Sequence, residues 1–184
     1  MVEIQESELW IISGERLAGK TTLCAALVDG FRARGWKISG VRSPAVFAGG
    51  EKVAIDVEDL RSGETRRLAV RANQPQPANP GEKPLQWSFD PTALAWGNEV
   101  LAGAVPTDLL IVDELGPLEL LRGQGWVNGL DALDSRTYRQ AVLVMRPELL
   151  ENACRRWPWG KVIRVEKVGT VPALAANLLL GWEQ

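Results

Sequence analysis

Three observations predict an α/β domain built on a mainly parallel central sheet. Apolar runs of strand length alternate with helical patterns along most of the chain. One of those runs, Leu109 to Val112, is apolar without polar alternation, as a strand covered on both faces requires. A glycine-bracketed loop, Gly14 to Thr21, lies between a strand-like run and a helical one.

Taken in order, the first strand is expected over 8–13, where Leu9 to Ile12 are apolar. A helix follows over 20–34, because Leu23, Ala26 and Leu27 recur at helical spacing and Gly35 closes the run. The second strand falls at 37–42. Between about 44 and 89 the pattern changes: Val53 to Asp59 and Arg66 to Val70 alternate like exposed strands around Ser62-Gly63-Glu64. That is the pattern of an inserted antiparallel hairpin. Asn73 to Pro84 carries four prolines and reads as a loop. The alternation then resumes, with helices at 90–103, 126–136, 147–157 and 172–180 and strands at 108–113, 140–145 and 161–167. The whole chain, 1–184, reads as one domain with 44–89 inserted.

Composition narrows the function classes. A net charge of −2 without a dense Lys/Arg block does not suggest a nucleic-acid partner. No run reaches the roughly 18 to 20 apolar residues of a membrane span. The first residues lack a basic stretch followed by an apolar one, so a cytoplasmic chain is expected. Two distant cysteines and no histidine exclude the usual zinc sites and His-based catalysis. Cys24, among Ala25, Ala26 and Leu27, reads as a buried inert thiol.

The loop Gly14-Glu15-Arg16-Leu17-Ala18-Gly19-Lys20-Thr21 matches the phosphate-binding pattern G-x-x-x-x-G-K-[ST]. Backbone N–H groups at the start of a helix have no internal partner and sit at its positive dipole end, so such a loop can wrap a phosphate. Gly14 and Gly19 permit backbone angles or approaches that a Cβ would block. Lys20 brings a cation to the β- and γ-phosphates and Thr21 a hydroxyl to Mg²⁺. Thr22 is expected to support the loop or to pack.

The central strand ends in Asp113-Glu114-Leu115-Gly116-Pro117-Leu118-Glu119-Leu120. A carboxylate at the end of a buried strand beside a phosphate loop can hold Mg²⁺ through water, which is the role expected of Asp113. Glu114 points beyond it, where it can orient or deprotonate an attacking water. Glu119 reads equally as a site residue or a solvated one, and Gly116-Pro117 as a turn. Phosphoryl transfer calls for a cation besides Lys20. Arg42 and Arg146 follow strands at the ligand end of the sheet, and Arg122 is expected in the loop after the acidic motif. Most of the eight tryptophans should fill core, with Trp87 and Trp96 flanking a segment that could cover a base.

Together these motifs resemble the thermophilic-type, or cancer-related, nucleoside-triphosphatase family. Its acidic motif reads like Asp-Glu-Ile-Gly-x-Met-Glu-Leu, which Asp113 to Leu120 follows. The resemblance spans about 8–145 and implies a RecA-like three-layer P-loop fold and Mg²⁺-dependent hydrolysis of ATP, GTP and other nucleoside triphosphates. Arg16 and Leu17 stand where the family usually has Pro and Gly. The family's later basic, asparagine-containing segment has no counterpart in Arg164 to Thr170. The same parts also serve a small-molecule or nucleotide kinase, or a nucleotide-binding switch that presents its hairpin to a partner protein. The paired acids Asp113 and Glu114 favour the hydrolase.

Overall fold

The computed structural model describes residues 7–73 and 86–182. The proline-rich stretch from Gln74 to Pro84 and the first six residues lie outside the described residues. In chain order the elements are β1 (Glu8–Ser13), α1 (Lys20–Arg32), β2 (Ile38–Arg42), β3 (Ala45–Ala48), β4 (Glu51–Asp59), β5 (Thr65–Arg71), β6 (Trp87–Phe89), α2 (Pro91–Ala102), β7 (Thr107–Asp113), α3 (Pro117–Arg122), α4 (Val127–Ser135), β8 (Tyr138–Met145), α5 (Leu150–Arg156), β9 (Lys161–Arg164) and α6 (Val171–Gly181). The described strands form one sheet in the order β6-β5-β4-β2-β7-β8-β1-β9, with β3 paired to β4. β2, β7, β8, β1 and β9 run parallel, and β4 joins β2 antiparallel through only Val41↔Asp59 and Arg42↔Glu58.

Side chains alternate across a strand, so the apolar runs of β1 and β7 feed two cores. Leu9, Ile11, Leu110 and Val112 pack with α2, α4 and α5 on one face. Ile12, Leu109 and Ile111 pack with α1 and α6 on the other. This is the three-layer arrangement predicted from the sequence. It explains why Leu109 to Val112 carry no polar alternation: both sides of β7 are covered.

Several tryptophans lock the helices to this frame. Trp182 stacks on Phe31 with ring centroids 5.5 Å apart, joining α6 to α1. Trp157 is fully buried, and its indole N–H donates to Asp134 Oδ1 at 2.7 Å. Trp126 is buried and donates to the carbonyl of Leu94 at 3.0 Å, joining the start of α4 to α2.

The inserted hairpin forms as expected, with Ile55 opposite Ala69 and Val57 opposite Arg66. Two short strands, β3 and β6, extend it into a four-stranded wing that the sequence pattern did not reveal. Gly116-Pro117 is not a simple turn. Gly116 is the N-cap of α3 and Pro117 its first residue, a position where the missing N–H costs nothing. Arg122 therefore ends a helix instead of lying in a loop.

Candidate active site

The phosphate loop connects β1 to α1 at the carboxyl ends of the parallel strands. β1 continues to β2 on one side of the sheet, while β9 lies on its other side, so the loop sits where the connections diverge. Ligands bind at such switch points in open α/β sheets. Both loop glycines are constrained, as expected. A Cβ on Gly14 would lie 2.3 Å from the carbonyl oxygen of Val165, and Gly19 has φ +105°. Leu17 occupies the left-handed region at φ 61° with its side chain largely in solvent. That conformation costs a non-glycine residue about 1–2 kcal/mol, which accounts for glycine being usual there in the family it resembles. Glu15 and Arg16 are also exposed, and Ala18 is buried against α1.

Lys20 is buried, and its Nζ donates to the carbonyls of Gly14 at 2.6 Å and Glu15 at 2.9 Å. Its ammonium thus lies inside the loop, where a phosphate would be wrapped. Thr21 Oγ1 donates to Asp113 Oδ1 at 3.4 Å, joining residues 92 apart in sequence. β8 lies between β1 and β7, so the two side chains meet across it. Thr22 does not pack: it is exposed on the first turn of α1.

Asp113 is 1% exposed. Burial raises its pKa to about 7, and the neighbouring Glu114 charge pushes the same way, against hydrogen bonds from Ser43 and Thr21. Ser43 is a site residue that motif reasoning missed. Its N–H donates to Asp113 Oδ2 at 3.3 Å and its hydroxyl to the Asp113 carbonyl at 2.5 Å. The available signal was its place, one residue beyond β2 at the ligand end of the sheet.

The acids and arginines meet in a specific way. Arg146, just past β8, donates from Nε to Glu114 Oε1 at 2.9 Å. Arg42, at the end of β2, gives both Nε and Nη2 to Glu58 Oε2 at 3.0 and 2.6 Å. Each arginine is thus committed to a carboxylate. Glu119 is neither a site acid nor solvated. It is buried and accepts the backbone N–H of Gly116 at 2.8 Å and of Trp126 at 3.0 Å, closing the segment around α3. Of the two tryptophans considered for a base, Trp96 packs against the core and carries the Arg66 guanidinium over its ring at 4.3 Å. Trp87 sits on the wing beneath the Lys52 ammonium at 5.0 Å.

Cys24 is fully buried, and burial drives its thiol well above the usual range, as an inert core residue requires. No helix among the described residues is long and apolar enough to cross a membrane. No group of three or more His, Cys, Asp or Glu among them could hold a metal. A cavity of about 430 Å³ lined by Arg32, Lys37, Ser39, Arg61 and Thr107 opens at the opposite ends of β2 and β7, away from the phosphate loop.

A family model described as NTPase matches residues 10–156. Among curated relatives, "Nucleoside-triphosphatase THEP1" of Methanopyrus kandleri is 28% identical over 111 residues, 60% of this chain and 58% of that protein. The protein of the same name in Pyrococcus abyssi is 31% identical over 110 residues, covering 60% and 59%. The chain thus spans about three fifths of the length of these relatives. Two solved structures share the fold. A human cancer-related nucleoside triphosphatase superposes with a TM-score of 0.68 at 22% identity, covering 94% of this chain and 97% of that one. THEP1 from Aquifex aeolicus gives 0.63 at 16%, covering 95% and 98%.

Proposed function

We propose, for a chain that belongs to the NTPase family, that it hydrolyses the γ-phosphate of ATP, GTP and other nucleoside triphosphates to the diphosphate and inorganic phosphate. The observation that carries this is the 3.4 Å contact between Thr21 Oγ1 and Asp113 Oδ1. It brings a helix-start hydroxyl and a strand-end carboxylate together beside a loop shaped for phosphate.

That oxygen pair fits Mg²⁺, which prefers hard oxygen ligands and is held by one or two carboxylates together with substrate phosphates. Thr21 would hold the ion directly and Asp113 through water, and when bound it would neutralise charge on the β- and γ-phosphate oxygens. The loop from Gly14 to Thr22 is assigned to the phosphates, with Lys20 exchanging its two loop carbonyls for phosphate oxygens. Glu114 accepts the proton of the attacking water. The water oxygen bonds to the γ-phosphorus as the bond to the β–γ bridging oxygen breaks, its electron pair leaving on the β-phosphate. Arg146 fixes the Glu114 carboxylate through its Nε bond, and Arg42 braces the end of β2 through Glu58. The same reading takes 1–184 as one cytoplasmic domain with 44–89 inserted.

Phosphate release from ATP, GTP, CTP and UTP with Mg²⁺ tests this, alongside Glu114→Gln and Lys20→Ala. Turnover is expected to fall by about 10²–10⁴-fold in Glu114→Gln with nucleotide binding kept. Lys20→Ala should lose both. Tight binding without release from any nucleotide would overturn the hydrolase and direct attention to a phosphate acceptor or a protein partner.

A further inference from the structure

Phosphoryl transfer gains from a cation aimed at the γ-phosphoryl oxygens, yet Arg146 is held by Glu114, Arg42 by Glu58, and the exposed Arg16 of the loop turns to Gln86. The wing offers another. β4 pairs with β2 only at Asp59 and Glu58, so residues from Val57 back to Glu51 run on past the carboxyl end of β2, the end at which the phosphate loop lies. From Glu58 to Lys52 that is about 20 Å of strand at 3.4 Å per residue. The strand is bent on the way by irregular pairing between Ile55 and Asp56.

The end of the wing meets the phosphate loop. Arg16, in the loop, donates from Nη1 to Gln86 Oε1 at 3.4 Å. The next residue, Trp87, lies opposite Arg71 of β5, and its ring carries the Lys52 Nζ 5.0 Å from its centre. Among the described residues Lys52 Nζ makes no hydrogen bond or ion pair, although the residue is only partly exposed. Charges of the site act on it. Burial lowers its pKa, Arg16 and Arg146 push the same way, and Glu114 and Asp113 pull against them. Lys52 is thus a partly buried ammonium within the field of both site carboxylates and of the loop arginine.

We infer that Lys52 is a catalytic residue of the NTPase, carried by the inserted wing and held over Trp87, whose ammonium contacts the γ-phosphoryl oxygens and stabilises their charge during transfer. This rests on the hydrolase reading above. The reaction itself is unchanged: the γ-phosphorus exchanges its bridging oxygen for a water oxygen, and Lys52 neither gains nor loses a proton.

The test compares the full-length protein with Lys52→Met and Lys52→Arg. Steady-state phosphate release is measured, together with retention of Mg·ADP in the presence and absence of fluoroaluminate, which mimics the transferring phosphoryl group. Lys52→Met is expected to lower kcat by about a hundredfold, the lower end of what losing one charge-stabilising donor costs. KM and Mg·ADP affinity should stay within threefold, and fluoroaluminate should no longer tighten nucleotide retention. Lys52→Arg should recover most of both. Because Lys52 lies on a wing strand outside the buried cores, thermal unfolding should be unchanged, and equal melting curves exclude a folding defect. If the wild type hydrolyses and Lys52→Met matches it in kcat and fluoroaluminate trapping, the Lys52 assignment falls and the hydrolase stands. If the wild type releases no phosphate, both fall.

Discussion

From Leu109 to Asp113 every residue of β7 is buried, whereas in β5 only Leu68 and Ala69 are, with Thr65, Arg66, Arg67, Val70 and Arg71 facing solvent. β7 is covered by helices on both faces and paired on both edges. The wing is held at its surface by ion pairs such as Arg67–Asp56 and Arg71–Glu51. A buried strand end can hold a group that a surface strand cannot. A carboxylate raised to a pKa of about 7 persists at the end of β7 because the surrounding strands over-determine its position. The wing has no such depth, and what it can contribute is reach. Long side chains project from strands that continue past the edge of the parallel sheet.

Core and wing should differ most in what a truncation costs in stability. Phe31 is fully buried between α1 and α6 and stacks on Trp182. Phe31→Ala should cost about 3–5 kcal/mol. Val70 is 45% exposed on β5, and Val70→Ala should cost no more than about 0.5 kcal/mol. Denaturant midpoints at constant m-value measure both. Equal losses would mean that the wing is as deeply packed as the parallel core.

The same contrast governed what could be read from the chain. Runs buried on both faces announce themselves, so β1, β2, β7 and β8 were expected, as were the largely exposed edge strand β9 and the meeting of Lys20, Thr21 and Asp113 in one place. A hairpin with one buried face alternates, and β4 and β5 were legible for that reason. β3 and β6 were not, since three or four residues are too few to establish a period. α3 was missed because Gly-Pro marks a helix start as readily as a turn. Side-chain partners were the least legible. Nothing in the spacing says that Glu58 will take Arg42, that Glu114 will take Arg146, or that a lysine on an alternating strand will stand over Trp87. Those pairings depend on sheet order, and the order places next to each other strands that are distant in the chain.

Two carboxylates carry the same contrast, one buried beside the core and one on the wing. Glu119 is 8% exposed and is the acceptor for two backbone N–H groups, those of Gly116 and Trp126. Removing it leaves donors without their partner, one of them in a buried bond. Glu119→Ala should therefore destabilise by about 1–3 kcal/mol, read as a shift in denaturant midpoint. Glu119→Gln retains one acceptor oxygen and should lose less. A neutral Glu119→Ala would mean that water replaces both bonds and that the segment from Gly116 to Trp126 is not closed by this side chain.

The exposed counterpart is Asp56, whose Oδ1 accepts from Arg67 Nε at 2.5 Å, with the two side chains 20% and 50% exposed. An exposed pair gains little because water screens it and two side chains lose freedom to form it. A double-mutant cycle of Asp56→Ala and Arg67→Ala should return a coupling of only about 0.2–1 kcal/mol. The coupling should shrink further in 1 M salt, where the screening length falls to about 3 Å. Glu119, whose partners are backbone N–H groups of the core, should lose the same stability at either ionic strength. A salt-independent Asp56–Arg67 coupling above about 2 kcal/mol would show that the wing is fixed by electrostatics rather than by backbone pairing. The Lys52 ammonium, four residues before Asp56 on the same strand, would then be held by that ion pair as much as by the Trp87 ring beneath it.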